Sequence, residues 1–293
     1  MILKSYLQNA FVFPHSGLLG PWANRLVSNQ PILALRRAIT AHLPFPILQS
    51  DIQDVIYLNW VLDVEQVAHY LPPGVQLWQR QGKTIFTVLT YRHRHFGPVF
   101  LGPLRQLCPS PLQSNWRLYL EPTVPEQRSV LFVKNSMNHV LYALGSRLFS
   151  DVLPSHLAES FTHQALPDGY ETQIQSGIGS SPDLFCRVKT SQTKTLPGPF
   201  EVFWQSWPEA IRTLCLQDAA LSYVADTGQL VQAGIDLPID IFDVIPLQAV
   251  ELKSQFDLLQ LPACQPEFTL CFRVPKLCFR VLWEKPCLNE SGR

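Results

Sequence analysis

Twenty-five prolines punctuate the chain and keep its apolar runs short. Proline ends or kinks a helix and is tolerated at helix starts, turns and strand edges. A chain cut this often builds strands and turns rather than long helices. Residues 55–62 form a strongly apolar run, 84–91 are rich in β-formers, and 130–133 read as a buried strand. Further strands are expected at 184–189, 200–204, 219–224, 268–274 and 277–283. Helical spacing occurs at 32–42 and at 140–149. A short helix over 64–70 is capped by Asp63 and stopped by Pro72-Pro73-Gly74. Residues 236–253 are apolar with scattered acids and show no clear period. Many strands with one or two helices define an α+β domain whose large antiparallel sheet curls into a barrel-like cone. Residues 1–50 read as an N-terminal extension with a short helix, and 51–293 as the main domain.

Charge narrows the function classes. The 23 Lys and Arg balance 23 Asp and Glu, and charged residues make up only 16% against an apolar content of 46%. Disorder needs the opposite balance. A general nucleic-acid binder needs a basic field that this balance does not build. No run reaches the roughly 18 apolar residues of a spanning helix. In the opening MILKSYLQNAFVFPHSG, Gln8 and Asn9 interrupt a mildly apolar stretch and no cleavage site follows. It reads as a folded or draping arm rather than a secretory signal. Seven cysteines lack zinc or CxxC spacing and read as buried, reduced thiols, which fits the cytoplasm. The expected partner is a small molecule, with neither nucleic acid nor membrane; a homo-oligomer is left open.

The order of motifs then points to a family. Leu58-Asn59-Trp60-Val61-Leu62, Val64-Glu65 and Leu71-Pro72-Pro73-Gly74-Val75 open the domain. Asn115-Trp116-Arg117-Leu118-Tyr119 follows, and then Gly145-Ser146-Arg147-Leu148-Phe149 leading to Leu153-Pro154. This succession, over roughly residues 52–285, resembles the YqjF-like family of uncharacterised conserved proteins, whose members resemble acetoacetate decarboxylase in fold. That resemblance implies an acetoacetate decarboxylase-like cone around a mostly apolar cavity. In the decarboxylase, a lysine forms a Schiff base with a β-keto acid, and an adjacent lysine depresses its pKa. The pair stands just after the proline of a helix–proline turn. Here that stretch reads Pro154-Ser155-His156-Leu157-Ala158, without a lysine. The resemblance therefore implies a fold kept and a Schiff-base pair lost. Lys134 is the nearest substitute, but without a neighbouring lysine it reads as solvated or ion-paired.

Asn115, Arg117, Tyr119 and Glu121 alternate along one strand face, opposite Trp116, Leu118 and Leu120. Turned inward, Arg117 would bind a carboxylate with Asn115 and Tyr119 orienting it. Turned outward, the same row is an ordinary solvated face. His156, Glu159 and His163 share a face if their segment is helical, and would then suit acid–base chemistry or a metal. His93 and His95 form an HxH flanked by Arg92 and Arg94, which repel a cation. Ser191-Gln192-Thr193-Lys194 matches S-x-x-K without its companion motifs. No nucleotide or hydrolase fingerprint occurs. The expectation is a small-molecule site for an apolar or carboxylate-bearing metabolite. Asn115, Arg117 and Tyr119 bind the ligand, His156 and Glu159 are the candidate acid–base pair, and no cofactor or metal is called for. A His/Glu lyase or hydratase and a non-catalytic interaction protein are the alternatives.

Overall fold

The computed structural model describes residues 9–122 and 127–287; residues 1–8 of the expected arm lie outside the described residues. Two helices lead in, α1 (Leu19–Val27) and α2 (Gln30–Thr40). The domain then runs β1 (Leu48–Asp63), the one-turn α3 (Val64–Val67), β2 (Gln79–Arg80), β3 (Lys83–Arg92), β4 (Gly97–Pro98), β5 (Leu112–Leu120) and β6 (Ser129–Met137). It continues with α4 (Val140–Phe149), β7 (His156–Leu157), β8 (Ser160–Leu166), β9 (Gly169–Gln175) and β10 (Leu184–Thr190). It ends with α5 (Trp207–Cys215), β11 (Ala219–Val224), β12 (Gln229–Asp236), β13 (Ile245–Lys253) and β14 (Leu270–Pro286).

The strand pairings close on themselves. β1, β3, β5, β6, β11, β12 and β14 form a ring, because β14 pairs back to β1. Most pairs are antiparallel; β6 pairs in parallel with β11 and with β7. The other half of β14 continues into β13, β10, β9 and β8, which fold over the outer face of β1, β3 and β5. β1, β3 and β5 thus have a core on both faces, so odd and even residues of their inner stretches are both buried, whereas β12 buries only some of its residues. Tyr57, Leu89, Tyr119 and Phe272 fill the ring, while Trp60, Phe86 and Trp116 pack outside it under β8–β10 and β13. Each such side chain contributes roughly 1.5–3 kcal/mol by leaving water.

α5 plugs the ring. Trp207, Ala210, Ile211, Leu214 and Cys215 are buried at i, i+3, i+4, i+7 and i+8 and join the ring core. This helix is absent from the elements expected from sequence, although Pro208 and Glu209 in its first turn are start signals. A strand was expected at 200–204. That segment is a 3-10 turn (Gly198–Val202), because Pro197 and Pro199 fix its backbone and Phe200 N–H bonds back to Pro197 O at 2.9 Å. The strands expected at 268–274 and 277–283 are one strand, β14. The LPPG element is a turn in which Gly74 takes φ +79°, a left-handed conformation that favours glycine.

The lead-in helices dock on α4 and are pinned by charge. Arg36 Nη1 donates to Asp151 Oδ2 at 2.9 Å, and Arg37 bonds Asp151 at 2.9 Å and Asp226 at 2.8 Å. Burial works to raise the Asp151 carboxyl's pKa, and Arg37 and Arg36 overcome it, holding it below its usual range. Asp151→Ala leaves the half-buried Arg36 without its counterion and Arg37 with Asp226 alone. It is expected to cost about 3 kcal/mol, read as a lower urea midpoint. An unchanged midpoint would remove this network from the fold's stability.

Candidate functional site

The inward row of β5 lands in the ring. Asn115 and Arg117, with Tyr57, Tyr91 and Phe132, line a cavity of about 50 Å³. That is room for a water or a group of a few heavy atoms. Tyr119 is buried beside Arg117, whereas Glu121 lies beyond the strand end and is exposed. A polar network holds the row. Tyr119 OH and Arg117 Nη2 both donate to Leu214 O, the last-turn carbonyl of α5, at 3.0 Å. Asn59 Nδ2 donates to Leu270 O at 2.8 Å and its Oδ1 accepts from Thr87 Oγ1 at 2.6 Å; Tyr119 OH lies 3.2 Å from the same Thr87 hydroxyl. Two of the motifs that carry the family resemblance, around Asn59 and around Arg117, thus meet in one buried network.

Electrostatically this site is one-signed. Arg117 is 4% exposed and has no carboxylate partner among the described residues; its Nε is buried without a hydrogen bond. Its guanidinium lies 5.5 Å from the ring centres of Tyr57 and Tyr119. Burial works against its charge, but a guanidinium's ordinary value lies so far above neutrality that Arg117 stays protonated. Burial pushes the phenols of Tyr57, Tyr91 and Tyr119 up and the Cys215 thiol up to about 12, so all four stay neutral near pH 7. A cation enclosed by neutral groups calls for an anion.

A second polar cluster sits outside the ring. β6 carries a bulge opposite Trp116 and Arg117, so Phe132 faces Arg117 and Lys134 faces Trp116. Lys134 is therefore turned away from the ring interior and only 8% exposed. β7 pairs with β6 and sets His156 beside Ser136. His156 Nε2 is 2.8 Å from Asn9 Oδ1 and 3.4 Å from Lys134 Nζ; its Nδ1 is 2.6 Å from Ser180 Oγ. Arg147 Nη2 lies 3.3 Å from the His156 ring, its Nε donates to Ser155 O at 2.7 Å, and its guanidinium covers Phe11. Burial first, then Arg147, brings the Lys134 amine down to about 7. Burial brings Arg147 down to about 9. Burial, Lys134 and Arg147 hold His156 well below its usual value, as a neutral ring. Of the two readings the sequence left for Lys134, solvated or ion-paired, burial removes the first, and the neighbouring cation that adds to burial in lowering its pKa is Arg147.

The remaining sequence candidates separate. His156 lies on β7 and Glu159 in the bend between β7 and β8, so no helix brings them to one face. Glu159 is exposed near His15 (4.0 Å), and His163 is buried between Thr172 Oγ1 (2.7 Å) and Asp54 O (2.8 Å). His93 is buried between Ser50 Oγ (2.8 Å) and Gln113 Oε1 (2.7 Å), whereas His95 is on the surface beside Gln106 O. Ser191 bonds Thr193 at an exposed turn, and Lys194 lines an open groove with Trp204, Trp207 and Phe242 beyond the N-terminus of α5. Among the described residues no three His, Cys, Asp or Glu gather as a metal site. The thiols are all free, four of them buried.

The fold is shared with acetoacetate decarboxylase-like proteins. The enduracididine biosynthesis enzyme MppR superposes with TM-score 0.55 at 11% identity, covering 85% of this chain and 90% of its own. Acetoacetate decarboxylase from Legionella pneumophila gives 0.53 at 11%, covering 85% and 90%. An acetoacetate decarboxylase-like enzyme from Sphingomonas wittichii RW1 gives 0.53 at 10%, covering 83% and 94%. At this identity the likeness is one of fold. No curated protein matches the sequence. Residues 49–204 match the family DUF2071, described as uncharacterized conserved protein (COG2071), and the chain belongs to that family.

Proposed function

We propose that this protein binds a small carboxylate-bearing metabolite inside the ring, with Arg117 as its countercharge and Asn115 and Tyr119 as hydrogen-bonding partners. The observation that carries this is Arg117 itself, buried among neutral groups with Nε unpaired. The cavity of about 50 Å³ fits a carboxylate head and little more, so a larger ligand needs the ring to widen. MppR is known in complex with pyruvate, a ligand of this class. Thermal melting against pyruvate, acetoacetate and other short carboxylates tests the reading. A ligand at a hundredfold excess over its Kd is expected to add about 2.7 kcal/mol of stability, and its uncharged amide none. A panel of carboxylates that leaves the melting point unmoved would remove the reading.

A second reading rests on Lys134. The lysine-free Pro154-Ser155-His156 turn receives an amine from the neighbouring strand, 3.4 Å from His156 and lowered to about 7. A neutral fraction of such an amine attacks a keto-acid carbonyl; loss of water leaves an imine, which borohydride reduces to a stable secondary amine. Under this reading, borohydride with pyruvate adds mass to a peptide containing Lys134, and Lys134→Met abolishes the adduct. Thermal stabilisation without an adduct leaves the protein a binder.

A further inference from the structure

We infer that the face built by α1, α2, α4 and the 3-10 segment Val99–Leu107 docks on the surface of an anionic lipid bilayer. The inference does not depend on the ligand reading above, and it revises the sequence expectation that no membrane is a partner.

Two independent patterns coincide on this face. The first is apolar exposure. Sixteen of the twenty-one exposed large apolar side chains among the described residues belong to residues 9–50, 99–107 and 140–149. They are not scattered within those segments. α1 buries Gly20, Ala23 and Val27 and leaves Leu18, Leu19 and Trp22 outside, Leu18 at 95% exposure. α2 buries Leu33 and exposes Ile32, Leu35 and Ile39 at i, i+3 and i+7. Leu141 and Phe149 of α4, against which both helices pack, are exposed, as are Phe100, Leu104 and Leu107. Exposed apolar side chains gathered on neighbouring segments in this way mark an interaction site.

The second pattern is charge. Residues 1–50, 99–107 and 140–149 contain no Asp or Glu; all 23 acids lie elsewhere. The first 150 residues hold thirteen Lys and Arg against six acids, and the remainder ten against seventeen. The acids that border the face are bound: Asp151 and Asp226 by Arg36 and Arg37, and Asp51 by Arg105. Arg25 is left exposed on α1. A second copy of the chain seated here would offer Arg25 no carboxylate from these segments. An anionic bilayer supplies an apolar layer for Leu19, Trp22, Leu35 and Ile39 and headgroups for Arg25, with the helices lying in the interface plane. No helix among the described residues is long and apolar enough to cross a membrane, so the contact is peripheral.

Co-sedimentation of the full chain with vesicles tests this. The wild type is expected to pellet with mixed phosphatidylcholine–phosphatidylserine vesicles and to stay in solution with phosphatidylcholine alone. The double variant Trp22→Ser/Leu35→Ser is expected to partition about tenfold more weakly, with an unchanged melting point because both side chains are already exposed. Arg25→Glu should weaken binding further as salt is lowered relative to wild type. The inference is overturned if the wild type ignores the anionic vesicles, or if the double variant binds as the wild type does. A concentration-dependent dimer abolished by the double variant, without vesicle binding, would overturn it in favour of a second copy.

Discussion

Arg117→Met is expected to abolish the thermal response to carboxylates while leaving the ligand-free protein as stable as the wild type, or more so. The two halves of this outcome share one cause. Arg117 is a desolvated cation without a carboxylate partner, so replacing it with an apolar side chain of similar length removes a cost. Leu214 O keeps Tyr119 OH as a donor, so the substitution orphans no carbonyl. Losing one partner of a buried charged pair costs about 2–5 kcal/mol in binding, which is at least about 30-fold in Kd. A structural arginine behaves in the opposite way, since its removal costs about 3–5 kcal/mol of stability. Arg117→Lys sharpens the test: it keeps the charge but loses the planar fork and should bind more weakly than the wild type. Calorimetric titration with melting curves of the three proteins reads both halves. A variant that is destabilised and still binds would assign Arg117 to the fold alone.

The sequence made β5 legible because the strand is buried on both faces and only one face is polar. Alternation of Asn115, Arg117 and Tyr119 against Trp116, Leu118 and Leu120 survives in the structure, with polar groups turned into a ring rather than to water. α4 was legible from its period, at the bounds Val140–Phe149. Other features depend on partners that local sequence does not encode. β14 reads as two strands because of Pro275. In the structure Pro275 lies between the pairs Gln53↔Lys276 and Val55↔Val274, opposite the bulged Asp54 with φ +53°, where a missing N–H breaks no ladder. Lys134 could not be placed from sequence, since a one-residue bulge decides which face it takes. His156 and Glu159 were grouped on a helix that does not form, because β7 pairs with β6 instead. α5 carries its own start signals in Pro208 and Glu209, and its last turn supplies the Leu214 carbonyl that holds Arg117 and Tyr119.

The protein is expected to lose stability steeply as pH falls from about 6.5 to 4, because its buried histidines are held neutral. Burial pushes His93 down to about 4, with Gln113 opposing, and holds His156 and His163 below their usual values. An unfolded chain takes up protons at histidine once pH drops below about 6.5, while these folded sites do not. The unfolded state therefore binds more protons in that window, and stability is present above it and lost within it. His93 alone contributes about 3 kcal/mol to this loss, a large part of a typical total of about 5–15 kcal/mol. Lys134 acts in the same direction above neutrality: its amine is lowered to about 7, so its contribution falls as pH drops towards 7 and an unfolded lysine gains its proton first. Above about pH 8.5 the buried thiols and phenols, whose values burial raises, oppose it and close the window from the alkaline side. Together these effects place the stability maximum on the alkaline side of neutrality. Urea titrations from pH 4 to 10 measure the slope directly. His93→Gln should flatten the acid limb by up to about 1.4 kcal/mol per pH unit, and Lys134→Met should flatten the limb above pH 7. Superimposable profiles for wild type and His93→Gln would mean that the imidazole between Ser50 and Gln113 is charged in the folded state after all.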